Sequence, residues 1–143
     1  MKFDNYMILE FPSRSSNEAF ARSVVSCFAA QMDPTIDELG DIRTAVSEAV
    51  TNAIVHGYPN GLGMITLRCR ILKDHVLDIV IKDKGVGIAD IEKARQPMFT
   101  TGGADRSGMG ITIMESFMTD VKIISSEGKG TTVHMRRKLQ RKK

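Results

Sequence analysis

Four short groups of residues carry types and spacings that can do chemistry. Glu48 and Asn52 stand one helical turn apart, so on a helix they project to the same side. Val46, Ala49, Val50 and Ala53 supply an apolar stripe beside them, and an acid and an amide bordering a buried stripe need polar partners or a ligand. An amide oxygen is a hard ligand that suits Mg²⁺, and the Glu48 carboxylate can take a proton from a hydroxyl. Taken alone, the same pair also describes two polar residues flanking a surface helix. Asp83-Lys84-Gly85-Val86-Gly87 follows a strand pattern directly. A carboxylate at a strand end can accept a hydrogen bond from an exocyclic amine such as adenine N6, and Gly85 and Gly87 permit close backbone approach to a flat ring; an ordinary turn after a strand reads the same way. Gly108-Met109-Gly110 opens a helical pattern, where free N–H groups form an anion site suited to polyphosphate. The string is neither a Walker A loop nor the three-glycine dinucleotide fingerprint. Arg106, just before it, can hold a terminal phosphate by paired N–H bonds or remain solvated. Gly128-Lys129-Gly130-Thr131-Thr132 is a hairpin turn in which a threonine hydroxyl can meet a nucleotide base, although as a turn it needs no function.

The elements that must position these groups follow from hydrophobic period. Tyr6 to Phe11 alternates as a strand, with Met7, Leu9 and Phe11 on one side. A helix capped by Ser16 or Asn17 runs to about Gln31 on a stripe of Phe20, Val24, Cys27 and Phe28, with Ala21 and Val25 alongside, and Asp33-Pro34 ends it. Thr35 to Glu38 forms a capping box for a second helix reaching His56, with Gly57 as its terminating glycine. Leu39, Ile42, Val46, Ala49, Val50, Ala53 and Ile54 are its expected buried stripe. Met64 to Leu72 and Val76 to Lys82 form an antiparallel hairpin around Lys73-Asp74. Gly85 to Ser107 is a long turn-rich segment, with a short helix expected inside Ile88 to Arg95, and a loop of this length in a compact domain is usually functional. Gly108 to Met118 is helical on Ile111, Met114 and Phe117. Val121 to Ser126 and Thr131 to Arg137 close the pattern as a hairpin. The order β-α-α-β-β-loop-α-β-β predicts an α+β two-layer sandwich, with helices on one face of a mixed, mostly antiparallel sheet.

Length and charge bound the rest. The 143 residues fit one domain, here expected over residues 1–138, followed by a basic tail at 139–143. Net charge is +3, yet six of the 20 Lys and Arg lie in the last eight residues. The body therefore carries 14 basic against 17 acidic residues, so the basic character belongs to a solvated tail and no direct nucleic-acid partner is expected. No apolar run approaches the roughly 20 residues that span a bilayer, and Met1 to Glu10 lacks the apolar core of a signal peptide. A cytoplasmic protein without membrane contact follows, with Cys27 and Cys69 as two buried, reduced thiols.

Taken in order, the four groups resemble the boxes of the GHKL ATPases, the family of gyrase, Hsp90, histidine kinases and MutL. Glu48 to Ala53 is similar to the family's N box, Asp83 to Gly87 to its G1 box, Gly108 to Gly110 to its G2 box, and Gly128 to Thr131 to the following G-x-G-T. The resemblance covers about Met7 to Lys138. It narrows at Val46 to Tyr58, at Glu92 to Thr101 and at Arg106 to Gly110, which resemble the anti-sigma-factor serine kinases of spore-forming bacteria, most closely the sporulation type.

That resemblance implies an ATP/ADP and Mg²⁺ site. Glu48 would be the catalytic base and Asn52 the Mg²⁺ ligand, with Asp83, Gly85, Gly87, Thr100, Thr101, Arg106, Ser107, Gly108, Met109, Gly110 and Thr131 against the nucleotide. It implies a homodimer that sequesters a sporulation sigma factor and phosphorylates a small anti-anti-sigma partner on serine, with Arg22 at a partner-contacting position. Gly102-Gly103-Ala104-Asp105 departs from the more charged, Pro-containing lid of the family and implies a looser one. Three other readings stand beside this one: an ATP hydrolase or detached histidine-kinase catalytic domain, a sigma-binding module gated by nucleotide without kinase action, and a stress-type anti-sigma kinase with other partners.

Overall fold

The structure is a computed structural model that describes residues 3–88 and 110–140. Five strands, β1 (Phe3–Pro12), β2 (Met64–Leu72), β3 (Val76–Asp83), β4 (Asp120–Ser126) and β5 (Gly130–Lys138), form one sheet in the order β1-β2-β3-β5-β4. Helices α1 (Asn17–Ala29), α2 (Ile36–Asn52) and α3 (Gly110–Phe117) are packed with α2 in contact with both others. The α+β sandwich is as expected. Every described strand pairing is antiparallel, so among the described residues the sheet has no parallel component. The last hairpin enters with β5 innermost, because Val133 and Met135 are buried whereas Val121 and Ile123 of β4 are only partly covered. An edge position needs one covered face and one partner strand, and β4 meets no more than that.

The core lies between the sheet and the helices. Ile65, Leu67 and Cys69 of β2 alternate inward against Leu77, Ile79 and Ile81 of β3, and Ile42, Val46 and Val50 of α2 close over them. Helix α2 starts as the sequence predicts. The Glu38 N–H donates to Thr35 Oγ1 at 3.1 Å, and the Thr35 N–H donates to Glu38 Oε1 at 2.9 Å. Glu38 does more than cap: its other oxygen accepts the Gln140 N–H at 2.8 Å, tying the end of the described chain to the start of the helix. Leu139 is buried and its N–H reaches the His75 carbonyl at 2.9 Å, so packing continues past β5. Residues 141–143 lie outside the described residues.

Two expectations about α1 are corrected. Its buried face is Ala21, Val25, Phe28 and Ala29, whereas Phe20 is exposed and Cys27 lies on the outer side. The two candidate faces differ by one position on the helical wheel. Ala21 and Ala29, both fully buried, lie on the packed face together with Val25 and Phe28. Only Cys69 is therefore a buried thiol, pushed up to about 12 by burial and then by the nearby Asp78 carboxylate. Helix α1 gives way to a 3₁₀ turn at Ala30–Met32, and Asp33, in the left-handed region at φ 54°, stops it before Pro34. In α3, Ile111 and Met114 are buried as expected, but Phe117 is exposed and Met118 takes the inner position.

On the sheet face away from the helices, Asp78 is fully buried beneath cations. Arg70 Nε donates to it at 3.0 Å and Arg136 Nε at 2.9 Å, from strands paired in register on either side, and His134 and Arg68 complete the cluster. Burial acts to raise this carboxyl, but the hydrogen bonds from His134 and Arg136 and the neighbouring positive charge outweigh it and hold it below the usual carboxylate range.

Candidate functional site

Helix α2 carries the acid and the amide to the start of α3. Glu48 and Asn52 are both half-buried, on the last two turns of α2. Gly110, in the first described turn of α3, is buried against them. A methyl group there would stand 3.0 Å from Asn52 Nδ2 and 3.2 Å from both Asn52 Oδ1 and Glu48 Oε2. Glycine thus lets the start of a helix pack closely against a carboxylate–amide pair. This close packing sets a hard oxygen ligand, a proton acceptor and an anion-favouring helix end side by side.

The same helix leads on to the carboxylate of the D-x-G-x-G group. After Asn52 the backbone widens into a π-helical segment, Ala53–Gly57, where a continuous α-helix to His56 was expected. Gly57 lies directly under Asp83, and a methyl group on it would meet the Asp83 carboxylate at 2.9 to 3.1 Å. The Gly57 carbonyl accepts the Val86 N–H at 2.9 Å. Gly85 fits only as glycine, since a methyl group there would fall 1.8 Å from the Gly57 oxygen. Asp83 is buried at 5% exposure, and its Oδ1 accepts the Gly85 N–H at 2.9 Å. Burial pushes this carboxyl above its ordinary value, and the N–H bonds from Gly85 and Thr131 offset only part of that. A buried carboxylate with two fixed N–H partners still has lone pairs to offer a ligand amine.

Gly87 has φ 76°, and a methyl group on it would meet the Ser126 carbonyl at 2.1 Å, so the loop lies against the turn between β4 and β5. Gly130 has φ 99° and packs on the Asp83 carbonyl in the same way. Thr131 is therefore beside Asp83, its register partner. Its Oγ1 lies 2.7 Å from Ser125 Oγ, which also accepts the Ile88 N–H at 2.7 Å. Ser125 was not singled out from the sequence. The signal lay in the pairing of β4 with β5, which sets Ser125 opposite Thr131. Tyr58 also braces this cluster: its hydroxyl accepts the Lys84 N–H at 2.7 Å and donates to the Met64 carbonyl at 2.7 Å.

Arg22 opens on the same region from the other side. A groove between α1 and α2 is lined by Arg22, Ile36, Leu39, Arg43, Ser47 and Glu48, so the expected partner contact and the expected base share one cleft. Arg22 sits 3.6 Å from Glu18, one turn back on α1. The structure thus brings together Glu48, Asn52 and Gly110, joins Asp83, Gly85, Gly87 and Thr131 into a second cluster, and links the two through the end of α2. Thr100, Thr101, Arg106, Ser107, Gly108 and Met109 lie outside the described residues, as do most of the segment after Gly85 and its expected short helix.

Residues 11–137 match the family model described as "Histidine kinase-like ATPase domain". Among curated proteins, an anti-sigma F factor of Caldanaerobacter subterraneus subsp. tengcongensis is 54% identical over 136 residues, covering 94% of each chain. Another, of Geobacillus stearothermophilus, is 55% identical over 137 residues, covering 93% of this chain and 92% of that one. The chain belongs to the anti-sigma F factors, within the histidine kinase-like ATPase domains. Solved structures agree on the fold. The RsbU and RsbW domains of a Mycobacterium tuberculosis protein superpose with a TM-score of 0.69 at 18% identity, covering 95% of this chain and 32% of that one. The mycobacterial sensor histidine kinase MprB gives 0.58 at 15% identity, covering 93% and 97%. Membership makes this a kinase-type ATPase domain, whose fold implies nucleotide binding. The acid–amide helix, the D-x-G-x-G loop and the G-x-G-T hairpin all fall inside the matched span. Among the described residues no helix is long and apolar enough to cross a membrane.

Proposed function

We propose that this anti-sigma F family member is a cytoplasmic, ATP-dependent protein serine kinase that also sequesters a sporulation sigma factor. The observation that carries the reading is the close approach of Gly110 to both Glu48 and Asn52, on the helix whose end packs under Asp83. One element then spans the distance from adenine to the reacting phosphate. Asp83 accepts the adenine amine, with Gly85, Gly87 and Thr131 shaping the pocket around the ring. Asn52 is the residue that would hold Mg²⁺, and its amide oxygen, half-buried beside a helix start, fits that hard cation. When bound, the metal supplies neutralisation of phosphate charge.

The acceptor is a serine hydroxyl of a small anti-anti-sigma protein, brought along the cleft between Arg22 and Glu48. The serine oxygen forms a bond to the γ-phosphorus while the bond from that phosphorus to the bridging oxygen breaks. ADP leaves, and the hydroxyl proton goes to Glu48. General-base help of this kind contributes roughly 10²- to 10⁴-fold, and positioning supplies much of the rest. The names of the relatives support sigma-factor capture, and the Arg22 cleft is a surface a partner can reach. Among the described residues β1 is an edge strand, and its exposed Tyr6 and Ile8 are consistent with a homodimer.

The test is phosphoryl transfer from labelled ATP to a recombinant anti-anti-sigma protein. Glu48→Gln is expected to abolish phosphoserine formation while ATP affinity and stoichiometric sigma capture persist. Normal transfer by that variant would remove Glu48 from the role of base. Release of free phosphate without phosphoserine would favour a hydrolase.

A further inference from the structure

The proposed mechanism assigns nothing to Gly57 and Tyr58, yet both touch the adenine end of the site. They follow Asn52 by five and six residues, at the close of the π-helical segment. A π turn inserts an extra residue into a helix and is common where a helix end must be re-aimed at a functional site. Here it delivers three contacts in succession. The bare Cα of Gly57 faces the Asp83 carboxylate, and a methyl group on it would stand 2.9 Å from the carboxyl carbon. The Gly57 carbonyl holds the Val86 N–H, and the Tyr58 hydroxyl holds the Lys84 N–H. The tyrosine is itself fixed: its hydroxyl donates to Met64, and its ring covers Gly63 so closely that a methyl group there would fall 2.2 Å from it. Asp83 is thus gripped from beneath at its side chain and on its C-terminal side at the next peptide, by one dipeptide.

We propose that Gly57 and Tyr58 are positioning residues for base selection, aiming the Asp83 carboxylate at a purine amine and coupling that aim to the end of the helix that carries Asn52. The inference rests on the reading of Asp83 as the acceptor of the adenine amine. Neither residue touches the phosphate end, so their loss shifts discrimination between bases and not the hold on the triphosphate.

The test compares ATP with purine riboside triphosphate, which lacks the 6-amino group, each with Mg²⁺, by calorimetric titration of the full chain. A hydrogen bond to a charged acceptor gives the wild type a preference for ATP of roughly 10- to 100-fold, and Asp83→Ala should erase it. Gly57→Ala is expected to bring the preference to within about threefold of Asp83→Ala, because the carboxylate must move aside. Tyr58→Phe, which frees the Lys84 N–H, should lower it about 2- to 10-fold. A residue that only supports the fold would weaken both nucleotides equally and leave the ratio unchanged. Should Gly57→Ala fail to fold, Tyr58→Phe alone decides. If Asp83→Ala loses the preference while the folded position-57 and position-58 variants keep the wild-type ratio, the positioning role is overturned. If the wild type shows no preference, or Asp83→Ala retains it, the reading of Asp83 falls first and the positioning role with it.

Discussion

Replacing Gly110 by alanine separates folding from function at one atom. The added methyl group would meet Asn52 Nδ2 at 3.0 Å and Asn52 Oδ1 and Glu48 Oε2 at 3.2 Å. Each of these is the far end of a flexible side chain and not backbone, so the fold accommodates the methyl by moving them a few tenths of an ångström. Alanine is also the better helix former, by up to about 1 kcal/mol in a helix interior and less at an end. The two effects offset, and the melting temperature of the free protein should stay within about 3 °C of wild type. The cost falls on the site. The displaced atoms are the proposed metal ligand and base. Loss of one charge-assisted contact is worth about 1.5–3 kcal/mol, so Mg-ATP affinity should fall about tenfold or more. Calorimetric titration with Mg-ATP, beside a thermal melt without nucleotide, reads both quantities. Unchanged Mg-ATP affinity in the folded variant would refute the idea that Asn52 and Glu48 must keep their positions against α3 to bind Mg-ATP.

Other outcomes follow from the packing. An aromatic disulfide reagent should titrate one thiol in the native protein, Cys27, and reach Cys69 only on unfolding, because Cys69 is fully buried and its thiol is pushed up to about 12. Asp78 is held below its ordinary value when folded, so the stability it adds is present above the unfolded carboxylate value of about 4 and is lost as pH falls through the lower folded value. Urea midpoints should therefore drop on acidification below about pH 4 and lose that dependence in part in Asp78→Asn. The same variant should be about 2 kcal/mol less stable at pH 7, less than for a fully buried pair because the arginines left behind keep some water. Thr35→Ala removes the hydroxyl half of the capping box and should cost about 1 kcal/mol, read as a shift in urea midpoint at constant slope.

Local patterns carried much of this protein. Period-2 alternation located β1, β2 and β3, because a strand with one covered face must alternate. Thr35 and Glu38 declared the start of α2, because both halves of a capping box lie within one turn. The pairing of Glu48 with Asn52 was legible for the same reason: four residues of helix fix a direction without help from the rest of the chain. Rotation of α1 was not legible, since Phe20 and Cys27 are as apolar as Val25 and Ala29, and only the room available against the sheet and α2 chooses between the faces.

The joining of the site lay beyond the sequence altogether. That Gly110 faces Glu48, that a π turn carries Gly57 under Asp83, and that Ser125 meets Thr131 are contacts between residues 26 to 62 positions apart or products of strand register. Types and short spacings specify which groups can act, because they depend on bonds and turns close in the chain. Which groups act together depends on how helices and strands pack, and that is settled only when the whole core closes.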